Sequence, residues 1–270
     1  MSYIADYHLH SACSPDAETS MRDMAAAAIA AGLNEICFTD HVEPVEESTG
    51  RHRRSYDWGA LERAFQEARN TWGNRIQLRL GIELGDALRA QSVSETLLAA
   101  APEVDFIIGS IHALPASYNW TNLYYYDYEK DDAIRRALRD YLAEVQDLAN
   151  WGRFSVLGHL TLPIRYAGEL HGKSISFDGF EDEIRAILRT LIQNGCGIEL
   201  NTNRGHIPLP DEKWLRMYHQ EGGEIITIGS DAHRPSYVGC AVRERQDLLK
   251  FCGFTRFCTF EKRSPLWHEL

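Results

Sequence analysis

Eleven histidines stand in this 270-residue sequence, and most of them follow a pattern. His8 and His10 are two residues apart, as are Asp231 and His233. On an extended strand, residues i and i+2 point to the same side. Each pair can therefore chelate one ion or serve two neighbouring ions. Single donors recur in Asp40-His41, Gly81-Ile82-Glu83, Ser110-Ile111-His112 and Gly158-His159. Each closes a short run rich in Ile, Val, Leu or Phe. Imidazole suits zinc, iron and manganese, and a carboxylate can bridge two cations. A single histidine at a strand end is more often a hydrogen-bonded structural residue. Six histidines and two carboxylates at the ends of six such runs would, without a common task, each need a separate buried partner. Clustered divalent cations are the expected chemistry. Such ions activate a bound water near neutral pH and clamp phosphoryl oxygens.

The elements that must position these residues alternate between strand and helix. Strands are expected at 3–7, 35–39, 76–82, 104–109, 154–157, 197–200 and 224–228. Helices are expected from a cap at Thr19 or Ser20 to Gly32, over 58–72, 93–101 and 131–151, around 180–192 and over 213–220. The stretch 131–151 is the clearest, with Ile134, Leu138, Leu142, Val145 and Leu148 stepping by three and four. From Arg243 onward the sequence predicts one further helix and a short strand. Alternation of this kind implies a parallel sheet. Seven strands with no Pro/Gly/Ser-rich linker predict one closed or nearly closed α/β barrel over 1–270, with polar strand ends converging on one face. An open doubly wound sheet would bring a Gly-rich phosphate loop after the first strand, and none is present. Two long loops, 42–57 (Arg51, His52, Arg53, Arg54) and 113–130 (Trp120, Tyr124, Tyr125, Tyr126, Tyr128), are candidates to reach the site.

Composition excludes several classes. Lys plus Arg is 28 against 39 Asp plus Glu, a net charge of −11. This balance disfavours long nucleic acid and anionic membranes as partners. The longest apolar run, Ala25 to Leu33, is about half of what spans a bilayer. Met1–His10 lacks the basic-then-apolar layout of a signal peptide. The six cysteines include no Cys-x-x-Cys and read as reduced thiols, so a cytoplasmic protein is expected. Nothing in the sequence specifies an oligomeric state.

Taken in order, His8-x-His10, Thr39-Asp40-His41, Gly81-Ile82-Glu83, His112, His159 and Ser230-Asp231-Ala232-His233 resemble the PHP (polymerase and histidinol phosphatase) family along most of the chain. The Gly-His-Leu and Glu-Leu-Asn-Thr segments make the chain most similar to that family's monofunctional histidinol-phosphate phosphatases. The resemblance implies a distorted, TIM-like (β/α)7 barrel with a trinuclear centre of zinc, manganese or iron. By that analogy His8, His10, Glu83 and Asp231 hold one ion. Glu83 bridges to a second, completed by His112 and His159. His41, His233 and Asp16 hold a third, Asp16 standing where many members carry histidine. The implied reaction is hydrolysis of L-histidinol phosphate in histidine biosynthesis. The expected nucleophile is a hydroxide between the ions, with Asp231 and His233 at the chemistry and no phospho-enzyme.

Phosphate calls for further cationic donors, and arginine supplies bidentate ones. Arg165 follows His159 and Arg204 follows Asn201-Thr-Asn203, making both candidate phosphate contacts. His206 is a candidate acid for the leaving group, with His233 as the alternative. The aromatic loop near Trp120 is a candidate to shelter an imidazole ring. Other phosphatase signatures are missing. There is no Asp-x-Asp and no Cys-x5-Arg. Arg51-His52 lacks a following Gly, and Gly172-Lys173-Ser174 has Ala167 where a P-loop needs Gly. The competing readings are a PHP phosphoesterase for another small ester or nucleotide, and a non-catalytic metal-binding module. The module reading requires that Asp231→Asn leave every activity unchanged.

Overall fold

A computed structural model describes residues 3–46 and 49–270; Glu47 and Ser48 of the first long loop, and Met1 and Ser2 of the N-terminal segment, lie outside the described residues. Seven parallel strands form one sheet in chain order: β1 (Ala5–Leu9), β2 (Glu35–Val42), β3 (Gln77–Gly85), β4 (Phe106–Ser110), β5 (Val156–Leu157), β6 (Gly197–Asn201) and β7 (Ile226–Gly229). Its edges meet just past the ends of β1 and β7. There His10 N donates to Ala232 O at 2.9 Å and Asp231 N to His8 O at 2.8 Å. Buried Asp6 fastens the seam by accepting from Ser230 N, Ser230 Oγ and Gly239 N. The result is the nearly closed (β/α)7 barrel that the strand rhythm and the resemblance predict.

Eight helices alternate with the strands: α1 (Met21–Ala30), α2 (Trp58–Trp72), α3 (Gln91–Ala100), α4 (Asp131–Trp151), α5 (Pro163–His171), α6 (Glu181–Gln193), α7 (Glu212–Gln220) and α8 (Val242–Phe251). Ser20 caps α1 by accepting from Asp23 N. Helix α4 buries the expected stripe, Ile134, Leu138, Leu142, Val145 and Leu148. Helix α5 is the one the pattern did not predict. It has nine residues, Pro163 in its first turn and Gly172 at its end in the left-handed conformation. Its length is too short for a periodic stripe to stand out, yet it carries Arg165.

Strands β2 and β3 run three residues beyond their predicted ends. The parallel register continues through His41↔Glu83 and Val42↔Leu84, so the ladder itself carries the ligand-bearing residues. At the other end of the barrel, an antiparallel hairpin of β8 (Arg256–Glu261) and β9 (Ser264–Glu269) forms the floor. The Phe106 ring lies 5.1 Å from Tyr7 and 4.9 Å from Phe260. Tyr7 Oη donates to the Glu35 carboxylate and accepts from Phe260 N at 2.9 Å. Arg79 reaches Glu35 at 3.1 Å and Glu261 at 2.8 Å. Apolar packing thus fills the barrel's lower half and leaves polar residues to its upper rim.

Candidate metal centre

Glu83, at the end of β3 and 1% exposed, is the hub of the rim. Its Oε1 lies 3.1 Å from His112 Nε2 and 2.9 Å from His159 Nε2. Its Oε2 lies 3.3 Å from His8 Nε2, 3.5 Å from His10 Nε2 and 3.0 Å from His41 Nδ1. Asp231 Oδ1 completes the first group, 3.7 Å from His8 Nε2 and 3.4 Å from His10 Nε2. Asp16 Oδ2 gathers another, 3.5 Å from His41 Nε2 and 3.1 Å from His233 Nε2. The nine residues expected as ligands therefore converge on one rim, although the donor atoms that lie together form overlapping groups (His8, His10 and Asp231; His8, Glu83 and His159; His41, Glu83 and His112; His10, His41 and His233) rather than three separate subsites.

The donor set fits divalent metal. Four ligands at about 2.0–2.1 Å in a tetrahedron stand about 3.3 Å from one another. That is the separation found around Glu83 and Asp231. His8 Nε2, His10 Nε2 and His41 Nδ1 are buried and make no hydrogen bond to any described residue, although carboxylate oxygens lie close by. Buried imidazole nitrogens of this kind are costly unless something binds their lone pairs.

The charges hold one another in place. Burial alone would raise the Glu83 carboxyl, but His8, His112 and His41 bring it well below the usual carboxylate range. Burial opposes Asp231 in the same way, and His8 and Arg165 hold it low. His10 is pushed well below the usual imidazole range by burial and by neighbouring His233 and His41. Burial opposes charge on His8, His41 and His112 too, but Glu199 and Glu83 at His8, and Glu83 at His41 and His112, hold them well above the usual imidazole range, so a metal binding there would displace their protons.

The ligand positions carry backbone strain. His159 (φ 21°) and Asp231 (φ 58°) sit in the left-handed region, as do Asp86, Asn203 and Arg204 at neighbouring strand ends. Non-glycine residues persist there only where their surroundings enforce it. The left-handed step at Asp231 coincides with the seam between β1 and β7, where its N–H is fixed by His8 O.

Above the centre opens a cleft of about 790 Å3. Both long loops reach it: Glu43, Glu46 and Arg53 from the first, Asn122 and Tyr124 from the second. Arg165 and Arg204 also line it, with Tyr166, Arg234 and Tyr237. Arg165 is buried, and donates to Asn203 Oδ1 (2.8 Å), Asn201 Oδ1 (2.7 Å) and Asp231 Oδ2 (2.5 Å). Arg204 is half-buried and faces Glu169 at 3.5 Å and the Tyr237 ring.

One expectation needs correction. His206 is exposed and does not line the cleft; the chain turns outward after Arg204, and Arg245 fixes the His206 carbonyl. The aromatic loop near Trp120 does reach the cleft, through Tyr124, edge-on to Tyr166 at 5.5 Å, while Trp120 itself packs against Arg89. Sequence reading also missed Glu199. The available signal was a lone carboxylate inside the apolar run Gly197-Ile-Glu-Leu200, which a buried strand tolerates only with partners.

A seven-stranded barrel with a histidine–carboxylate centre at its C-terminal rim defines a multinuclear metal protein. The PHP domain family matches residues 6–203, and the chain belongs to that family. It is 31% identical over 264 residues to the histidinol-phosphatase of Lactococcus lactis subsp. lactis, covering 94% of this chain and 93% of that protein. The crystal structure of the L. lactis histidinol phosphate phosphatase, complexed with zinc, L-histidinol and phosphate, superposes with a TM-score of 0.80 at 25% identity. That superposition covers 97% of this chain and 98% of the other. A Listeria monocytogenes structure superposes with a TM-score of 0.72 at 14% identity, covering 89% and 99%, and supports the fold alone.

Proposed function

We propose that this protein is a metal-dependent phosphomonoesterase that hydrolyses L-histidinol phosphate to L-histidinol and inorganic phosphate. The observation that carries the reading is one cleft that combines the Glu83-bridged donor set with four lining arginines, Arg53, Arg165, Arg204 and Arg234. Similarity to a histidinol-phosphatase over 94% of the chain supports the choice of substrate.

His8, His10, Glu83 and Asp231 would hold one divalent ion, Glu83, His112 and His159 a second, and His41, His233 and Asp16 a third. Bound there, zinc, manganese or iron would lower the pKa of a water and offset phosphoryl charge. The chain's own residues do the rest. Arg204 places its guanidinium on the phosphate. Arg165 makes three hydrogen bonds with five N–H groups, so two remain for phosphate oxygens. Tyr124 and Tyr166 offer ring surface to the substrate's imidazole, and Glu43 and Glu46 suit its protonated amine. Of the two residues considered as proton donor, His233 alone lines the cleft, but with Nε2 on an ion and Nδ1 3.0 Å from the Asp231 carbonyl it would have no proton to give, so the leaving oxygen would take its proton from water.

Residues 1–270 serve as one catalytic domain on this reading. No helix among the described residues is long and apolar enough to cross a membrane. The free cysteines suit a cytoplasmic enzyme, and the −11 charge disfavours nucleic acid and anionic membranes as partners, the metal centre and arginines offsetting it for a small anion.

The test is phosphate release by zinc- or manganese-loaded protein from L-histidinol phosphate and from a panel of other phosphomonoesters. A kcat/KM above about 10⁴ M⁻¹s⁻¹, far above the panel, is expected. Equal turnover across the panel would refute the substrate assignment, and no turnover would refute the enzyme.

A further inference from the structure

We infer that Glu199 is a positioning residue that couples two metal subsites, although it ligates neither ion. The inference rests on the metal centre proposed above. Glu199 is 1% exposed in the middle of β6. Its Oε1 lies 2.7 Å from His8 Nδ1, and its Oε2 accepts from His159 N at 2.8 Å. His8 belongs to the group around Asp231, and His159 to the group completed by His112. One carboxylate therefore reaches into both.

The consequences follow from donor chemistry. A carboxylate only accepts, so it fixes the proton of His8 on Nδ1 and leaves the Nε2 lone pair facing Glu83 and Asp231. At His159 the same carboxylate binds the backbone N–H of a residue held at φ 21°. That contact sets the angle at which the imidazole meets Glu83 Oε1. Asn201 Nδ2 supports both Glu199 oxygens at 3.3 Å, and Asn201 Oδ1 holds Arg165. The space is shaped for this group: a Cβ at Gly229 would lie 2.3 Å from Glu199 Oε1. Partners that orient ligating histidines are worth about 10- to 100-fold in metal affinity.

The test uses the full chain stripped of metal and titrated with zinc against a chromophoric chelator. Glu199→Gln keeps the shape but removes the negative charge that both contacts share: one end becomes a donor and loses His8 or His159, and the other is left as a neutral, weaker acceptor. Affinity is expected to fall about 10- to 100-fold for two ions together, while the ion at Asp16, His41 and His233 stays within threefold. In turnover, kcat falls and KM moves little. Glu199→Asp withdraws the carboxylate by one methylene from both partners and is expected to give the same paired loss. An unchanged titration in either variant, or a loss confined to one ion, overturns the proposal. So does a metal-free variant that melts far below the metal-free wild type, because Glu199 would then be structural. A wild type that binds no zinc would overturn the metal centre itself.

Discussion

Glu83→Gln removes one of the two oxygens that serve neighbouring subsites, and with it the negative charge between them. In the structure, Glu83 Oε1 stands within 3.1 Å of two imidazole nitrogens and Oε2 within 3.5 Å of three more. An amide keeps the shape but gives up one ligating oxygen and the negative charge between two cations. Each bound cation supplies several kcal/mol of charge stabilisation at a phosphoryl transition state. Loss or misplacement of one ion, at about 5 kcal/mol, corresponds to roughly 10³- to 10⁴-fold in kcat. Asp231→Asn touches a single subsite, and so is expected to cost about 10²-fold. The assay is phosphate release after metal loading, paired with elemental analysis of the dialysed protein. A Glu83→Gln protein that keeps a full metal complement and a kcat within tenfold of wild type would refute the bridging role.

Five further outcomes are expected. Arg204→Met should raise KM about tenfold or more with little change in melting temperature, because Arg204 is half-buried and its one ion pair is long; Arg165→Lys should reduce both kcat and stability, since a single ammonium cannot serve Asn201, Asn203 and Asp231 together. Steady-state kinetics beside calorimetry separates the two. Tyr7→Phe should cost about 1–3 kcal/mol by leaving the Phe260 N–H without its partner and taking one of three donors from the Glu35 carboxylate, which keeps Tyr3 and Arg79, and should leave kcat unchanged. A lower kcat in the zinc-loaded variant would contradict the separation of floor from rim. Zinc at about 1,000 times its dissociation constant should stabilise the metal-free protein by about 4 kcal/mol, which calorimetry would read as a higher melting temperature. Acidification below about pH 6 should release metal, because protons compete for imidazole lone pairs; activity is present above that range, is lost as pH falls through it and, once the released metal is dialysed away at the acid pH, should return at pH 7.5 only with added metal. Recovery without added metal would point to simple titration of a retained centre.

The ligands were legible because strand geometry constrains them. Period two places His8 beside His10 and Asp231 beside His233, and a parallel barrel sends every strand end to one rim, so residue type and position sufficed for the convergence of the strand-end donors, while Asp16, in the loop after β1, was reached only through the resemblance. The same logic read helices α1, α2, α4, α6 and α7, whose stripes are long or whose caps are marked. It failed for α5, which is short, and for the hairpin, whose role is to cover the barrel floor. It failed more instructively at the walls of the cleft. Arg53, and not its neighbours at 51, 52 and 54, lines the cleft, and Tyr124, not Trp120, faces it. Which member of a loop turns inward depends on contacts with distant elements, and no local period encodes it. His206 illustrates the point, since the left-handed turn at Asn203 and Arg204 sends it outward.

Orientation of the ligands draws on a second layer that sequence position leaves unspecified. His8 leans on Glu199 from β6, and His10 on Ser14, which in turn donates to Asp40 of β2. His112 has Glu43 at 3.4 Å and takes its backbone direction from Asp86. Asp40 therefore sits in the Thr-Asp-His motif without ligating. Its carboxylate accepts from Ser11 N, Ser11 Oγ and Ser14 Oγ, and so shapes the loop that presents Asp16. The motif's aspartate and histidine are adjacent in sequence, and so point to opposite faces of β2. One face meets the metal centre and the other holds the loop after β1. A single strand end thereby supplies both a ligand and the scaffold for the ligand that faces it, and a change at Asp40 would reach the third subsite through the position of Asp16.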